Sequence, residues 1–364
     1  MKWSWKIIRV AGIDVSVHAT FFILLAWIAL NFWIVGGSLA AVITGVGFIL
    51  ALFACVVLHE LGHALTARRY GIRTRNIILL PIGGVAAMER MPDDPKQEIA
   101  VALAGPAVNL GIAIVLWLWL SLTNSLLQID QLALTGSSFL QNLMVVNIVL
   151  AIFNLLPAFP MDGGRVLRAA LSMRMNHFRA TQVAARVGQG FALWLGFIGL
   201  LYNPFLIFIA LFVWIGAAAE AETEQVKSTL HGAAVGSAML TEYHVLSADD
   251  DLARAIELTL AGSQKDFPVL QNADVIGVLT QDGLLKGLHA QGAQSHVGEW
   301  MQKEVYSADS QEPLEKVLER LQTCNCSLIS VTEAGLPVGI INLENIMELI
   351  KIQTAILEQN LLLR

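Results

Sequence analysis

Two histidines and a glutamate lie close together near the end of a long apolar run. Residues 56–69 read VVLHELGHALTARR, and the apolar run before His59 carries no charged side chain. On a helix, His59 and His63 are four residues apart and share one face, so both imidazoles can bind the same metal ion. Glu60 beside them can take a proton from water. Because polar groups inside an apolar helix are costly and usually functional, the spacing predicts a metal site with a general base.

A second polar segment, NLLPAFPMDGGR at residues 154–165, closes another apolar stretch. Its prolines break the helix, and its paired glycines let the backbone turn sharply. Irregular backbone at membrane depth is tolerated where it is buried in protein or lines a wet cavity. Catalytic zinc takes three protein ligands and keeps a fourth position open, so Asp162 is the candidate third ligand. The alternative is that Asp162 caps a helix that begins near Gly164.

The elements that must position these residues are apolar enough to cross a membrane. Of the 364 residues, 55% are hydrophobic and only 14% are charged, which indicates a membrane protein. Six apolar segments approach the ~20 residues that a spanning helix needs. They are residues 15–36, 40–66, 98–120, 138–159, 184–201 and 205–221.

The distribution of lysine and arginine predicts the orientation. The loops near residues 37–39, 121–137 and 202–204 carry none, whereas the N-terminus and the alternate connections are rich in both. Since positive charge accumulates on the cytosolic side, both ends of the membrane half are expected in the cytosol. The predicted location is the bacterial inner membrane.

The remaining part of the chain is acidic and internally repeated. Residues 1–227 carry 15 Lys and Arg against 11 Asp and Glu, whereas residues 228–364 carry 8 against 18. An acidic half argues against a nucleic-acid partner. The segment VGIINLENIM at 338–347 is similar to IGVLTQDGLL at 276–285, at an offset of 62 residues. Two copies of such a unit usually bury their faces against one another, which predicts domains at 228–292 and 293–364.

HELGH in one spanning helix, paired with NLLPAFPMDGG at the end of another, resembles the site-2 protease family of intramembrane zinc metalloproteases. The acidic repeat resembles a tandem pair of cystathionine-β-synthase-type (CBS) domains, as in the bacterial branch of that family. The resemblance implies a polytopic α-helical membrane protein with six transmembrane helices, followed by a cytosolic α/β tandem CBS pair. It also implies zinc bound by His59, His63 and Asp162, Glu60 as general base, and Asn154 holding the substrate carbonyl or its oxyanion.

The same resemblance implies a substrate and partners. The substrate is expected to be a single-pass transmembrane protein, such as an anti-sigma factor or a membrane-bound regulator, and the CBS pair is expected to regulate the protease or to form a homodimer. LLPIGGVAAM at residues 79–88 is too short to span and would form a β-like loop beside the active site, or else a loop on the membrane surface. AGPAVNL at 104–110 suits close helix packing, or support of the catalytic centre.

The CBS copies depart from the usual ribose-binding pattern, Gly, two apolar residues, Thr or Ser, two further residues and Asp. The first copy has Thr280, but Gly283 stands where Asp is expected and Asp282 comes one place early. The second copy has Asn342 and Asn345 in place of the hydroxyl and the carboxylate. We therefore expect weak binding of an adenine nucleotide, centred on Thr280 and Asp282.

Two other functions fit some of these features. A membrane metal-ion transporter also places His, Glu and Asp within helices, although the first, fifth and sixth segments carry few polar residues. A catalytically silent relative could act as an adenylate sensor, although all four predicted catalytic and metal-binding residues of the motif pair are present.

Overall fold

The computed structural model describes residues 3–123, 139–272, 274–324 and 326–362. The chain divides into two compact units, 1–222 and 223–364.

The first unit contains seven helices and a four-stranded sheet within its described residues. The helices are α1 Ala19–Gly36, α2 Leu39–Arg69, α3 Pro95–Leu122, α4 Phe139–Asn154, α5 Asp162–Ser172, α6 His177–Tyr202 and α7 Phe205–Leu230, the last of which ends beyond residue 222. The strands are β1 Ser4–Val10, β2 Ile13–His18, β3 Thr74–Leu80 and β4 Gly83–Met88.

Five of these helices, α1, α2, α3, α6 and α7, are long and apolar enough to cross a membrane. The fourth predicted span, residues 138–159, corresponds to the shorter apolar helix α4, which has 16 described residues. The loop predicted at 121–137 lies almost entirely outside the described residues. The count of six spans therefore stays a prediction, whereas the helical membrane architecture is confirmed.

The N-terminal residues form strands where the sequence predicted the start of a helix. The predicted first span begins at residue 15, but β2 continues to His18, whose side chain caps α1 by accepting a hydrogen bond from the Thr20 amide. The side chains of Ile13, Val15 and Val17 alternate along β2 and are buried. This two-residue period is that of a strand with one packed face.

The strands form one mixed sheet in the order β1-β2-β3-β4. β1 and β2 are antiparallel, β2 and β3 are parallel, and β3 and β4 form an antiparallel hairpin. The extended segment predicted at residues 79–88 is thus confirmed as the end of β3 and the whole of β4. Because β2 precedes α1 and β3 follows α2, their pairing places the start of α1 and the end of α2 on the same side of the membrane.

Helices α2 and α3 approach closely at a glycine. A Cβ atom placed on Gly62 of α2 would lie 2.9 Å from the backbone carbonyl oxygen of Ala104 on α3. Small residues permit this kind of backbone approach between membrane helices. The approach matters because α2 carries both histidines of the predicted metal site.

The second unit consists of two similar halves. The first has β5 Leu246–Ser247, α8 Leu252–Ala261, β6 Phe267–Gln271, β7 Asp274–Leu279 and α9 Gln281–Ala290. The second has a short α10 Val297–Trp300, β8 Ser307–Asp309, α11 Leu314–Cys324, β9 Leu328–Glu333, β10 Leu336–Asn342 and α12 Leu343–Leu362. The sheets β5-β6-β7 and β8-β9-β10 each combine a parallel and an antiparallel pair. The two halves therefore share one topology, in agreement with the repeat in the sequence.

We expect Gly62→Ala to destabilise the membrane unit by about 1–3 kcal/mol, because the added methyl group would push α3 away from α2. Thermal unfolding of the detergent-solubilised protein measures the effect. Gly47→Ala is the matched control, since Gly47 lies on the same helix and a Cβ there meets nothing within 4 Å. Equal unfolding temperatures for the two variants would contradict this account of the packing.

Candidate metal centre

Three side chains from two distant parts of the chain meet at one point. The His59 and His63 Nε2 atoms are 3.0 Å apart, and Asp162 Oδ2 lies 3.2 Å from the first and 3.1 Å from the second. All three residues are buried, with exposed fractions of 6%, 2% and 7%. The structure thus brings together the three predicted zinc ligands, although His63 and Asp162 are 99 residues apart along the chain.

The backbone of α3 fixes the tautomer of one histidine. His63 Nδ1 lies 2.7 Å from the carbonyl oxygen of Val101. Because a carbonyl oxygen only accepts, Nδ1 must carry the proton and donate it. This leaves the lone pair of Nε2 directed at His59 and Asp162, which is the form of imidazole that binds a metal.

His59 is held differently. Its Nδ1 is buried and has no hydrogen-bond partner among the described residues. Its ring instead packs against that of His63, with centroids 4.7 Å apart and planes at 81°.

The two imidazoles require a glycine on α3. A Cβ atom on Gly105 would overlap with the Nε2 atoms of both His59 and His63. The sequence analysis left two roles open for residues 104–110, namely helix packing and support of the centre. The structure shows both, because Gly105 lies directly against the Nε2 atoms of the two histidines.

Asp162 is placed by the turn that the sequence pattern indicated. It is the first residue of α5, and the two glycines that follow pack against the preceding loop. A Cβ on Gly163 would overlap the carbonyl oxygens of Leu155 and Leu156, and one on Gly164 would lie 2.6 Å from the Phe159 amide nitrogen. Since no larger residue fits, the pair allows α5 to begin directly against this loop.

Glu60 lies on α2 beside His59 and is half-buried. It faces β4, since a Cβ atom on Gly84 would lie 2.8 Å from Glu60 Cγ. β4 is an edge strand of the four-stranded sheet. A carboxylate, three converging ligand atoms and a strand edge therefore share one region of the molecule.

The surroundings of the other predicted site residues do not indicate a catalytic or binding role. Asn154 is the half-buried last residue of α4, eight residues before Asp162. Thr280 is buried and caps α9, its Oγ1 accepting a hydrogen bond from the Gly283 amide at 3.1 Å. Asp282 is exposed and forms an ion pair with Lys286 at 2.6 Å. Both CBS residues therefore have structural roles in α9, and nucleotide binding there stays a prediction.

The donor set suits zinc. Zinc bonds to histidine nitrogen and carboxylate oxygen are about 2.0–2.2 Å long, so two tetrahedral ligands are roughly 3.3 Å apart. The observed separations of 3.0–3.2 Å are close to this value. Two imidazole nitrogens and a carboxylate oxygen converge on one point, which is the donor chemistry that catalytic zinc sites use.

Sequence reasoning missed several contacts of this centre. The Val101 carbonyl carries no signal in the sequence, because every residue offers one. Gly84 was included in the predicted β-like segment, but its contact with Glu60 depends on the tertiary fold. Arg165 Nη1 lies 3.9 Å from Asp162 Oδ1, and the three-residue spacing at a helix start could have indicated that pair.

We expect Gly105→Ala to weaken zinc binding by about ten- to a hundredfold, the usual effect of disturbing the groups that orient metal ligands. Zinc retained after dialysis against a graded chelator measures the change. Gly111→Ala on the same helix is the control, since a Cβ there meets nothing within 4 Å. Unchanged zinc retention in Gly105→Ala would refute the close contact with the histidines.

Comparison with known proteins identifies the family of the chain. The model of peptidase family M50 matches residues 47–195, and the CBS domain model matches 235–290 and 297–352.

A zinc metalloprotease of Methanocaldococcus jannaschii is 31% identical over 97% of both chains. Stage IV sporulation protein FB of Bacillus subtilis is 28% identical over 41% of this chain and 48% of its own length. The solved structure of a site-2 protease from Methanocaldococcus jannaschii is 38% identical, covers 60% of this chain and 95% of its own, and superposes with a TM-score of 0.45. The chain belongs to peptidase family M50, the site-2 protease family of zinc metalloproteases, and carries a tandem pair of CBS domains.

Proposed function

We propose that this protein is an intramembrane endopeptidase that cuts the transmembrane segments of single-pass membrane proteins. The observation that carries the proposal is the buried cluster of His59, His63 and Asp162 beside Glu60, on a helix long and apolar enough to span a membrane. A protease site on a membrane-spanning helix suits a substrate that is itself embedded in lipid. Family membership also disfavours the metal-transporter alternative.

His59 and His63 through Nε2, and Asp162 through Oδ2, are the proposed zinc ligands. A zinc ion held there supplies a Lewis acid that polarises the scissile carbonyl and acidifies water. The hydrogen bond from His63 Nδ1 to the Val101 carbonyl orients the ring and leaves Nε2 as the nitrogen that faces the metal.

Glu60 is the proposed general base. It follows His59 directly in α2 and lies outside the ligand triangle, so its carboxylate is free to accept a proton from the attacking water. It then passes that proton to the leaving amine nitrogen. Asn154, at the end of α4, is proposed to donate a hydrogen bond to the substrate carbonyl or to the oxyanion derived from it.

The edge of β4 is the proposed binding surface for the substrate backbone. A transmembrane helix hides its carbonyl groups in internal hydrogen bonds, so it must unwind before cleavage. The unwound segment can add to the edge of β4 as a further strand, which presents its peptide bonds next to Glu60. Gly84 suits this surface because it brings β4 against the Glu60 side chain. Glycine or proline near the cytosolic end of the substrate would lower the cost of unwinding.

The CBS pair is proposed to dimerise the protein or to gate substrate entry. We propose the cytoplasmic membrane as the location, with the N-terminus and the CBS pair in the cytosol. The lysine- and arginine-rich connections support this orientation, and the parallel pairing of β2 with β3 agrees with it. Anti-sigma factors and other membrane-bound regulators are the substrate class we propose.

We expect Glu60→Gln to lower cleavage of a single-pass reporter at least a hundredfold while zinc content stays at the wild-type level, because the base is lost and the ligands are kept. Cleavage and bound zinc are measured on the same purified sample. Glu242→Gln, an exposed change of the same chemistry in the CBS pair, is the control.

Asp162→Ala serves as the reference for metal loss in this experiment. If Glu60→Gln lost zinc to the same degree as Asp162→Ala, the carboxylate would be a ligand and its assignment as the base would be wrong.

We expect AMP, ADP and ATP to bind the full-length protein weakly, with dissociation constants above 1 μM. A missing ribose carboxylate removes a charged hydrogen bond worth about 1.5–3 kcal/mol, or roughly ten- to a hundredfold in affinity. Isothermal titration with each nucleotide measures the constants. Submicromolar affinity for any of the three would overturn the expectation.

A further inference from the structure

Besides the metal centre, the membrane unit contains a second group of buried charged side chains. Arg168 on α5 is only 3% exposed, and Glu98 on α3 is 1% exposed. Charged side chains inside a membrane domain are rare and usually have a function. We call Arg168, Glu98 and Glu220 the arginine cluster.

The cluster joins three helices at one guanidinium. Arg168 Nε donates to Glu98 Oε1 at 2.7 Å, and Nη2 donates to the same oxygen. Nη1 donates to Glu220 Oε1 on α7 at 2.7 Å. The guanidinium carbon also lies 5.4 Å from the centre of the Phe159 ring, in the loop before α5. One side chain thus connects α5 with α3, with α7 and with this loop.

Stability alone does not account for such a cluster. Replacing a buried ion pair with apolar side chains is often neutral or stabilising, because the desolvation penalty is large. The planar guanidinium fork does fix direction, since its hydrogen bonds require a particular geometry at each acceptor. The cluster is therefore suited to setting the position of α5.

The position of α5 determines the third metal ligand. α5 has 11 residues, and Asp162 is the first of them. Arg168 follows six residues later on the same short helix, about 9 Å along its axis. A shift or rotation of α5 at Arg168 would therefore move Asp162 Oδ2 relative to the two histidine nitrogens.

Glu220 makes this position depend on α7. Glu220 lies on the part of α7 that belongs to the membrane unit. A displacement of α7 would therefore reach Arg168 through the hydrogen bond of Glu220.

We propose that Arg168 is a positioning residue for Asp162, and that Glu220 transmits the placement of α7 to it. The arginine cluster would thereby couple the placement of α7 to the geometry of the metal centre. This inference rests on the proposed function in one respect, the assignment of Asp162 as a ligand.

The experiment uses the full-length protein in detergent, loaded with Co²⁺ in place of zinc. Glu220→Gln keeps the shape of the side chain but removes its charge. Glu222→Gln is the matched control, because Glu222 is exposed two residues further along the same helix. We expect Glu220→Gln to change the visible absorption of bound Co²⁺ and to accelerate its release to a chelator about tenfold, as disturbed ligand support does.

A second variant tests whether Glu220 acts through Arg168. Arg168→Met should alter the Co²⁺ spectrum and its release in the same direction, and Arg168→Met with Glu220→Gln should add no further change. A helical circular-dichroism signal at the wild-type level checks that each variant is folded. Arg168→Met could fail to fold because Glu98 is left without its partner. In that case the comparison of Glu220→Gln with its control, Glu222→Gln, is sufficient to test the proposal.

An unchanged spectrum and a release rate within twofold of the control in Glu220→Gln would overturn the proposal. Effects of Glu220→Gln that persist at full size in the Arg168→Met background would also overturn it. Failure of the proposed function looks different, because wild-type protein would then bind no Co²⁺, or would bind it without cleaving any membrane protein.

Discussion

The closeness of three helices around His59, His63 and Asp162 is the constraint on which the rest of the membrane unit depends. Three ligand atoms can converge within 3.0–3.2 Å only if α2, α3 and α5 approach at nearly bare backbone. Glycine makes each approach possible, at Gly62 between α2 and α3, at Gly105 against the imidazoles, and at Gly163 where α5 meets its loop. Packing and chemistry are thus determined by the same small residues.

The membrane unit contains buried charged side chains, and removing each of them from water costs free energy. Among the described residues, its buried histidines and charged side chains form two groups, the metal centre and the arginine cluster. Asp162 belongs to the first and Arg168 to the second, and both lie on α5. This short, amphipathic helix therefore connects the candidate metal centre with the arginine cluster.

The sequence predicted the convergence of His59, His63 and Asp162, because the signals for it are local. A four-residue spacing puts His59 and His63 on one face, and a broken helix followed by two glycines marks Asp162. Contacts that depend on distant partners were not predictable in this way. β2 was read as helix because its strand partner β3 lies about sixty residues further on. Arg168 gave no signal, since its role depends on Glu98 and Glu220 from other helices.

The parallel pairing of β2 with β3 has a consequence for the biogenesis of the protein. The register joins Asp14 to Asn76 and Val17 to Leu79, so two membrane helices separate the paired strands along the chain. The ribosome must complete both helices, and the translocation machinery must insert them as a hairpin, before the strands can meet. The sheet carrying β4 is thus assembled only after insertion. A nascent chain that has not inserted both helices would lack the β2–β3 pairing, so its β3–β4 hairpin would not yet belong to a four-stranded sheet.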